Sequence, residues 1–215
     1  MQRIGDFLFR QRGLIVALLA VYGLFYARPT AVGLCHGLAW ALLGEMLRLW
    51  AIGYSGEPTR GQVLDAPQLV TAGPYAYLRN PLYVGNLLNS LGVLMASFFP
   101  WDIPRIFGLW LGVVGLYLFL GSHEEKFLCR LFGAEYEEYR RKVPAWWPNR
   151  RGYPKPNGHF CPRRSLRFER TSLVWWCLIC KVRTITAWFP KLPRCWKKPV
   201  TAWRSTMRAM TRSER

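Results

Sequence analysis

The feature that most constrains the fold of this chain of 215 residues is a set of four long apolar stretches in its N-terminal part. They are Gly13–Ala27, Ala31–Tyr54, Leu82–Trp101 and Ile106–Leu120. A helix that crosses a bilayer needs about 17–25 mainly apolar residues, and two of the stretches reach that length. The two shorter ones can complete a span if Arg28 and Arg105 extend their side chains to the interface. We therefore expect an all-α integral membrane protein with about four transmembrane helices.

The distribution of basic residues predicts the orientation of these helices. With a cytoplasmic N-terminus, the residues that lie inside include Arg60, Arg79 and the basic C-terminal region, whereas Arg28 and Arg105 lie outside. This arrangement satisfies the positive-inside rule. We expect a multi-pass protein with both termini in the cytoplasm. A cleaved signal peptide is the alternative for the N-terminus, but no small-residue cleavage pattern follows the first apolar stretch.

The net charge of +18 is concentrated in the C-terminal third of the chain. Residues 149–215 carry 17 of the 30 Lys and Arg residues and 2 of the 12 Asp and Glu residues. We therefore divide the chain into a membrane domain, 1–148, and a basic tail, 149–215, that is rich in Trp, Cys and Pro and has no helical or strand period. Three interpretations of the tail are open: binding to anionic lipid headgroups, non-specific binding to nucleic acid, and out-of-frame translation. We favour the last and expect no specific nucleic-acid partner.

The six cysteines predict neither a disulfide framework nor a metal site. Cys177 and Cys180 form a CxxC pair, but no second pair of ligands follows at zinc-finger spacing. With a cytoplasmic active face, the thiols are expected to be reduced.

Ionisable residues occur at three places in or beside the apolar stretches. Glu45 and Arg48 lie three residues apart in the second stretch, so they share a helix face and can neutralise each other, either as part of a functional site or as a structural ion pair. The segment "GPYAYLRNPLYVGN", residues 73–86, precedes the third stretch, and "HEEKF", residues 123–127, follows the fourth. An antiparallel pair of helices brings these two segments to one end. We expect them to form the two halves of a cytoplasmic ligand pocket.

The two segments also carry a family resemblance. "LVTAGPYAYLRNPLYVGN" and, one helical hairpin later, "EEKFLCRLFGAEYEEYRRKVP" resemble motifs of the isoprenylcysteine carboxyl methyltransferase and phospholipid methyltransferase superfamily of membrane proteins. The resemblance covers about residues 51–148. It implies a methyltransferase that uses S-adenosylmethionine at its cytoplasmic face and that takes an apolar acceptor from the bilayer.

The resemblance also implies roles for individual residues. Gln68, Leu69 and Val70 would lie along the cofactor, and Tyr75 would contact it. Asn80, Pro81, Leu82 and Tyr83 would wrap around it. Glu124 would hold it, and a carboxylate is indeed what the methionine ammonium group requires. Arg79 is placed either on the methionine carboxylate or on the glutamates after the hairpin.

Catalysis by a side chain is needed only for some acceptors. A thiolate or a carboxylate needs no base, whereas an amine or a phenol does, and His123 and Glu125 are the nearby candidates. Each also has a simpler interpretation: His123 as a hydrogen-bonded bystander at a helix end, and Glu125 as the ion-pair partner of Arg79 or Lys126.

Two positions depart from the family pattern. Asn80 replaces a histidine that many members have, and an amide cannot carry charge. Leu120 stands where the prenylcysteine enzymes have an arginine that faces the substrate, which argues against a prenylcysteine carboxylate as acceptor. The alternatives to a methyltransferase are a membrane reductase of sterol type that uses NADPH and a non-enzymatic basic membrane adaptor.

Overall fold

The computed structural model describes residues 11, 18, 21–22, 25–55 and 68–162, and these residues form helices and connections without a β-strand. The helices are α1 (Ala31–Ser55), α2 (Pro81–Phe98), α3 (Ile103–Phe132) and α4 (Ala134–Lys142), and a single 3-10 turn spans Gly73–Ala76. Helices α1, α2 and α3 are long and apolar enough to cross a membrane. The predicted all-α membrane fold is thereby confirmed for three of the four expected spans. Most of the first, Gly13–Ala27, lies outside the described residues.

Helices α1 and α2 are antiparallel and are packed backbone to backbone. A Cβ atom on Gly37 would lie 2.6 Å from the Gly92 carbonyl oxygen, and one on Gly92 would lie 2.7 Å from the Gly37 carbonyl oxygen. Gly44 and Gly85 repeat this arrangement nearer the other end of the pair. Small residues permit such close approach, which is a principal source of helix association where lipid removes the hydrophobic driving force.

Helices α2 and α3 are joined through larger side chains. Leu94 and Phe98 pack against Ile106 near the connection between the helices. At the opposite end Tyr83 packs against Tyr117 and Leu120. We call this opposite end, where α2 begins and where Glu124 lies in α3, the site end.

Helix α3 is longer than the sequence pattern suggested. The predicted membrane stretch Ile106–Leu120 and the polar segment that follows it lie in one continuous helix of 30 residues. At 1.5 Å per residue its length is about 45 Å, whereas the hydrocarbon core is about 30 Å thick. Helix α3 is therefore longer than a span along the bilayer normal requires, and the fall in hydropathy after Leu120 does not mark the end of the helix.

Local signals place the remaining boundaries. Pro81 begins α2, as expected from the tolerance of proline in a first turn. Gly133 ends α3 with φ 53° and separates it from α4. Gly73 has φ 63°, and a Cβ atom there would lie 2.3 Å from the ring of Tyr54, so only glycine fits this turn.

The first residues of the tail belong to the folded structure. Tyr153 is buried in a cluster with Leu69, Ala76, Tyr136, Tyr139 and Val143. The Tyr153 ring meets the Tyr139 ring edge-on, with 5.3 Å between the centroids. The division of the chain at residue 148 stays a prediction, since residues 163–215 lie outside the described part.

Candidate functional site

The two halves of the predicted pocket meet at the site end through Tyr83 and Glu124. The Tyr83 hydroxyl donates a hydrogen bond of 2.6 Å to the Glu124 carboxylate. Tyr83 stands in the first turn of α2, and Glu124 lies in α3, 41 residues later. The short contact is of the charge-assisted kind, which is stronger than a bond between neutral groups. The antiparallel pairing of α2 and α3 therefore joins the two motifs as expected.

Glu125 is held by different partners from those of its neighbour. Its Oε1 atom lies 2.9 Å from Nη1 of Arg79, and both side chains are largely buried. The Asn80 amide also donates to Glu125 Oε1 at 3.4 Å, and to the Ala145 carbonyl oxygen at 3.3 Å. Of the two partners proposed for Arg79, the structure thus contains the glutamate after the hairpin. The positive charge of Arg79 offsets the negative charge of Glu125. This pairing argues against Glu125 as the catalytic base.

Tyr75 sits inside the turn at Gly73–Ala76. Its carbonyl oxygen accepts a 2.7 Å hydrogen bond from the Tyr139 hydroxyl of α4. Its own hydroxyl oxygen is buried near Ser55, and this burial raises the pKa of Tyr75 well above the usual range. The Tyr75 hydroxyl is therefore neutral over the physiological pH range, and it can donate a hydrogen bond.

The three predicted cofactor residues before the turn, Gln68, Leu69 and Val70, differ in how far their side chains are buried. Leu69 is buried in the core cluster beside Tyr136 and Tyr139, so its side chain is used for packing. Gln68 is exposed, and Val70 is half-buried. A ligand that runs along this segment would therefore meet its backbone and the flanking side chains more readily than the Leu69 side chain.

The other predicted site residues are close in sequence to those just described. Pro81 is fully buried at the start of α2, and Leu82 is half-buried beside it. His123 is half-buried in α3, one residue before Glu124. His123 stays a predicted base, because its role depends on an acceptor that the geometry does not define.

An aromatic wall beside the carboxylates was not predicted. Tyr83 lies 5.3 Å from Tyr117 and 6.4 Å from Trp146, measured between ring centroids, and it is stacked on the Trp146 indole at 24°. Gly121 leaves space for that indole, because a Cβ atom there would lie 3.0 Å from it. Tyr117 lies seven residues before Glu124 on the same helix face, and this spacing could have predicted that Tyr117 lies on the side of the carboxylates. No comparable signal identified Trp146.

The predicted Glu45–Arg48 pair is present and belongs to a larger network between α1 and α2. The Glu45 carboxylate lies 3.4 Å from Arg48 Nε and accepts a 3.0 Å hydrogen bond from the Asn89 amide. Arg48 also donates to the side-chain oxygen of Asn86. Because the two charges and both amides find partners within this network, the structure favours the interpretation as interhelical polar packing.

Comparison with known proteins gives consistent results. The family model for phospholipid methyltransferases matches residues 30–135. The protein-S-isoprenylcysteine O-methyltransferase of Schizosaccharomyces pombe is 33% identical over 118 residues, which cover 52% of this chain and 48% of that protein. The human protein of the same name is 32% identical over 118 residues, with 52% and 40% coverage.

A third relative has a different name. The cobalt-zinc-cadmium resistance protein CzcN of Cupriavidus metallidurans is 34% identical over 113 residues, which cover 52% of this chain and 47% of that protein. The chain thus spans about half the length of the curated relatives that it matches. No solved structure gives a significant match.

The matched segment contains α1, α2, α3 and both carboxylates of the site. Through residues 30–135, this chain belongs to the phospholipid methyltransferase family of membrane proteins.

Proposed function

We propose that this protein is a methyltransferase that uses S-adenosylmethionine and acts on an apolar or membrane-embedded acceptor. The observation that carries the proposal is the hydrogen bond between Tyr83 and Glu124, which unites the two family motifs in one cluster at the site end. The names of the relatives support the same class of reaction, since they include protein-S-isoprenylcysteine O-methyltransferases.

The chemistry of the site fits such a cofactor. S-adenosylmethionine carries an ammonium group, a sulfonium group and a carboxylate. Glu124 suits the ammonium group, and the aromatic faces of Tyr75 and Tyr83 suit a sulfonium cation. Gln68, Leu69 and Val70 would lie along the cofactor, and residues 80–83 would wrap around it. Arg79 is paired with Glu125, so its first role is to fix that carboxylate.

The bound cofactor would supply an electrophilic methyl group. The residues of the chain would bind and orient the reactants and keep water away, because methyl transfer depends on an in-line approach of the acceptor. Tyr83, Tyr117 and Leu120 are buried together beside the carboxylates and make this side of the site apolar. For an amine or phenol acceptor, a ring nitrogen of His123 would take the proton, since the charge of Glu125 is already offset by Arg79.

The environment of Leu120 bears on the class of acceptor. Its side chain is completely buried, in one cluster with Tyr83, Val113 and Tyr117. This position therefore supplies packing surface and no positive charge for an acceptor carboxylate. We propose an acceptor that is recognised mainly by its apolar part and that reaches the site from the bilayer.

The membrane orientation belongs to the same proposal. Both termini would face the cytoplasm, and the site end would lie at the cytoplasmic surface, as the distribution of arginines favours. Access of a thiol-reactive, membrane-impermeant reagent to a cysteine introduced at exposed Lys126 in sealed vesicles would test this orientation.

Calorimetry on the detergent-solubilised full chain tests the proposed function. S-adenosylmethionine should bind and NADPH should not. Binding of NADPH alone would favour a reductase, and binding of neither would favour a membrane adaptor. Incubation with methyl-labelled S-adenosylmethionine and a host lipid extract would then reveal the acceptor, with the Glu124→Gln variant as the control for background transfer.

A further inference from the structure

The first residues of the tail form a strap, residues 149–161, that runs along the segment leading into α2. The backbone N–H of Asn149 donates to the Tyr77 carbonyl oxygen at 2.8 Å, and that of Tyr153 donates to the Ala76 carbonyl oxygen at 2.9 Å. At its far end the N–H of Cys161 donates to the Gly53 carbonyl oxygen of α1 at 2.8 Å. The strap therefore connects α1 with the turn that contains Tyr75.

Asn157 makes the densest set of these contacts. Its carbonyl oxygen accepts hydrogen bonds from the N–H groups of Thr71 and Ala72, at 2.9 and 3.1 Å. Its own N–H donates to the Thr71 hydroxyl at 2.9 Å, and its side-chain amide donates to the Leu69 carbonyl oxygen at 3.1 Å. One residue of the strap thus makes four hydrogen bonds to three residues of the segment 69–72, namely Leu69, Thr71 and Ala72.

These contacts determine the conformation of residues 69–72. Thr71 is 3% exposed and Ala72 is 6% exposed, and buried backbone N–H groups require partners. Gly158, which follows Asn157, has φ 131°, and a Cβ atom there would lie 3.2 Å from Val70. The strap therefore turns directly against the segment that is proposed to line the cofactor.

We propose that Asn157 is a positioning residue for the methyl-donor site. It acts through Leu69, Thr71 and Ala72, whose backbone it holds in the conformation that presents residues 68–70 and Tyr75 to the cofactor. The inference rests on the proposed function, and it assigns a role to a part of the chain that lies beyond the family match at residue 135.

Two variants of the full chain test the side-chain contact. Asn157→Ala removes the bond to the Leu69 carbonyl oxygen and keeps the backbone bonds, whereas Asn157→Asp places a carboxylate oxygen against that carbonyl. Asn149→Ala is the matched control, because the Asn149 side chain donates to the Lys142 carbonyl oxygen and not to residues 69–72. We expect the affinity for S-adenosylmethionine to fall about fivefold in Asn157→Ala and further in Asn157→Asp.

Amide hydrogen exchange of the cofactor-free protein supplies a second readout. Exchange in residues 69–72 should be faster in both Asn157 variants and unchanged in Asn149→Ala, while the thermal midpoint without cofactor falls no more than in the control. Unchanged exchange would contradict the contact, and faster exchange with unchanged affinity would contradict the positioning role. Failure of the unmodified chain to bind S-adenosylmethionine would instead overturn the proposed function itself, and the inference with it.

Discussion

Helix α2 packs against its two neighbours in opposite ways. Against α1 it presents glycines, and the two backbones lie so close that a Cβ atom on Gly92 would clash with Gly37. Against α3 it presents large side chains, among them Tyr83 and Phe98. The first contact therefore depends on the absence of side chains between α1 and α2 at these glycines. The second depends on those side chains, and at the site end it adjoins the carboxylates and the aromatic wall.

The same difference applies to the charged groups of the two contacts. Between α1 and α2, Glu45 and Arg48 neutralise each other and are completed by two asparagines. At the site end, the adjacent residues Glu124 and Glu125 bind different partners, a phenol and a guanidinium group. We infer that the network between α1 and α2 stabilises the fold. At the site end we infer different roles for the two glutamates: Glu125 binds Arg79, and Glu124 faces the ligand.

The largest expected effect comes from breaking the glycine contact. Gly92→Leu should prevent close packing of α1 and α2, because its Cβ atom alone meets the Gly37 carbonyl oxygen, and overpacking of this severity costs about 3 kcal/mol or more. Gly112→Leu is the control, since a Cβ atom at Gly112 has no neighbour within 4 Å. Yield of monodisperse protein in detergent and its thermal midpoint should fall for Gly92→Leu alone. Equal behaviour of both variants would contradict the close contact.

The next effect concerns Glu124. Glu124→Gln should weaken binding of S-adenosylmethionine by about 1.5–3 kcal/mol, the value of a hydrogen bond to a charged group, without unfolding the helices. Glu125→Gln should weaken it less, but it should lower the thermal midpoint because it leaves the buried Arg79 without its carboxylate. Calorimetry and thermal unfolding separate the two changes. Equal affinities of the unmodified chain and Glu124→Gln for S-adenosylmethionine would show that Glu124 does not contribute to cofactor binding.

A smaller effect is expected at Asn80. Its amide bridges Glu125 and the Ala145 carbonyl oxygen at 3.4 and 3.3 Å, and a histidine N–H can replace one of these bonds. Asn80→His should therefore be tolerated, whereas Asn80→Leu should lose about 1 kcal/mol of cofactor affinity. The comparison is made by titrating S-adenosylmethionine into both variants. If the leucine variant binds as tightly as the original chain, the side chain at position 80 does not contribute to the pocket.

The smallest expected effect is on the pH dependence of stability, and it comes from the buried tyrosine hydroxyls around the turn Gly73–Ala76. Burial raises the pKa of Tyr75, Tyr136 and Tyr139 above the value of about 10 that they have in an unfolded chain. The folded state then retains protons that the unfolded state releases, so the contribution of these phenols to stability is constant below about pH 10 and falls as the pH rises further. Thermal midpoints across this range, with Tyr139→Phe for comparison, check the sign. An increase of the thermal midpoint as the pH is raised above 10 would contradict the predicted loss of stability.

The parts of the structure that the sequence predicted correctly depend on local chemistry. Glu45 and Arg48 meet because they are one helical turn apart. The meeting of Tyr83 and Glu124 followed from the antiparallel arrangement of α2 and α3. Each of these needed only the spacing of residues along one helix or across one hairpin.

The parts that were missed depend on contacts between distant segments. The stacking of Trp146 on Tyr83 requires a gap at Gly121, and nothing in the spacing of these residues links the three. The strap is bound mainly through backbone groups, which every sequence has, so its aperiodic composition gave no indication that it packs on residues 69–77. The length of α3 was underestimated because hydropathy reports the bilayer and not the helix.

The central claim is that the segment 68–83 and the neighbourhood of Glu124 form one binding site for S-adenosylmethionine. Photo-crosslinking of radiolabelled S-adenosylmethionine to the detergent-solubilised full chain, followed by mass-spectrometric mapping, tests it most directly. We predict label in peptides that contain residues 68–83 and 117–125, and loss of this label when unlabelled S-adenosylmethionine competes. Competable label confined to residues 163–215, or absent from both motifs, would contradict the account.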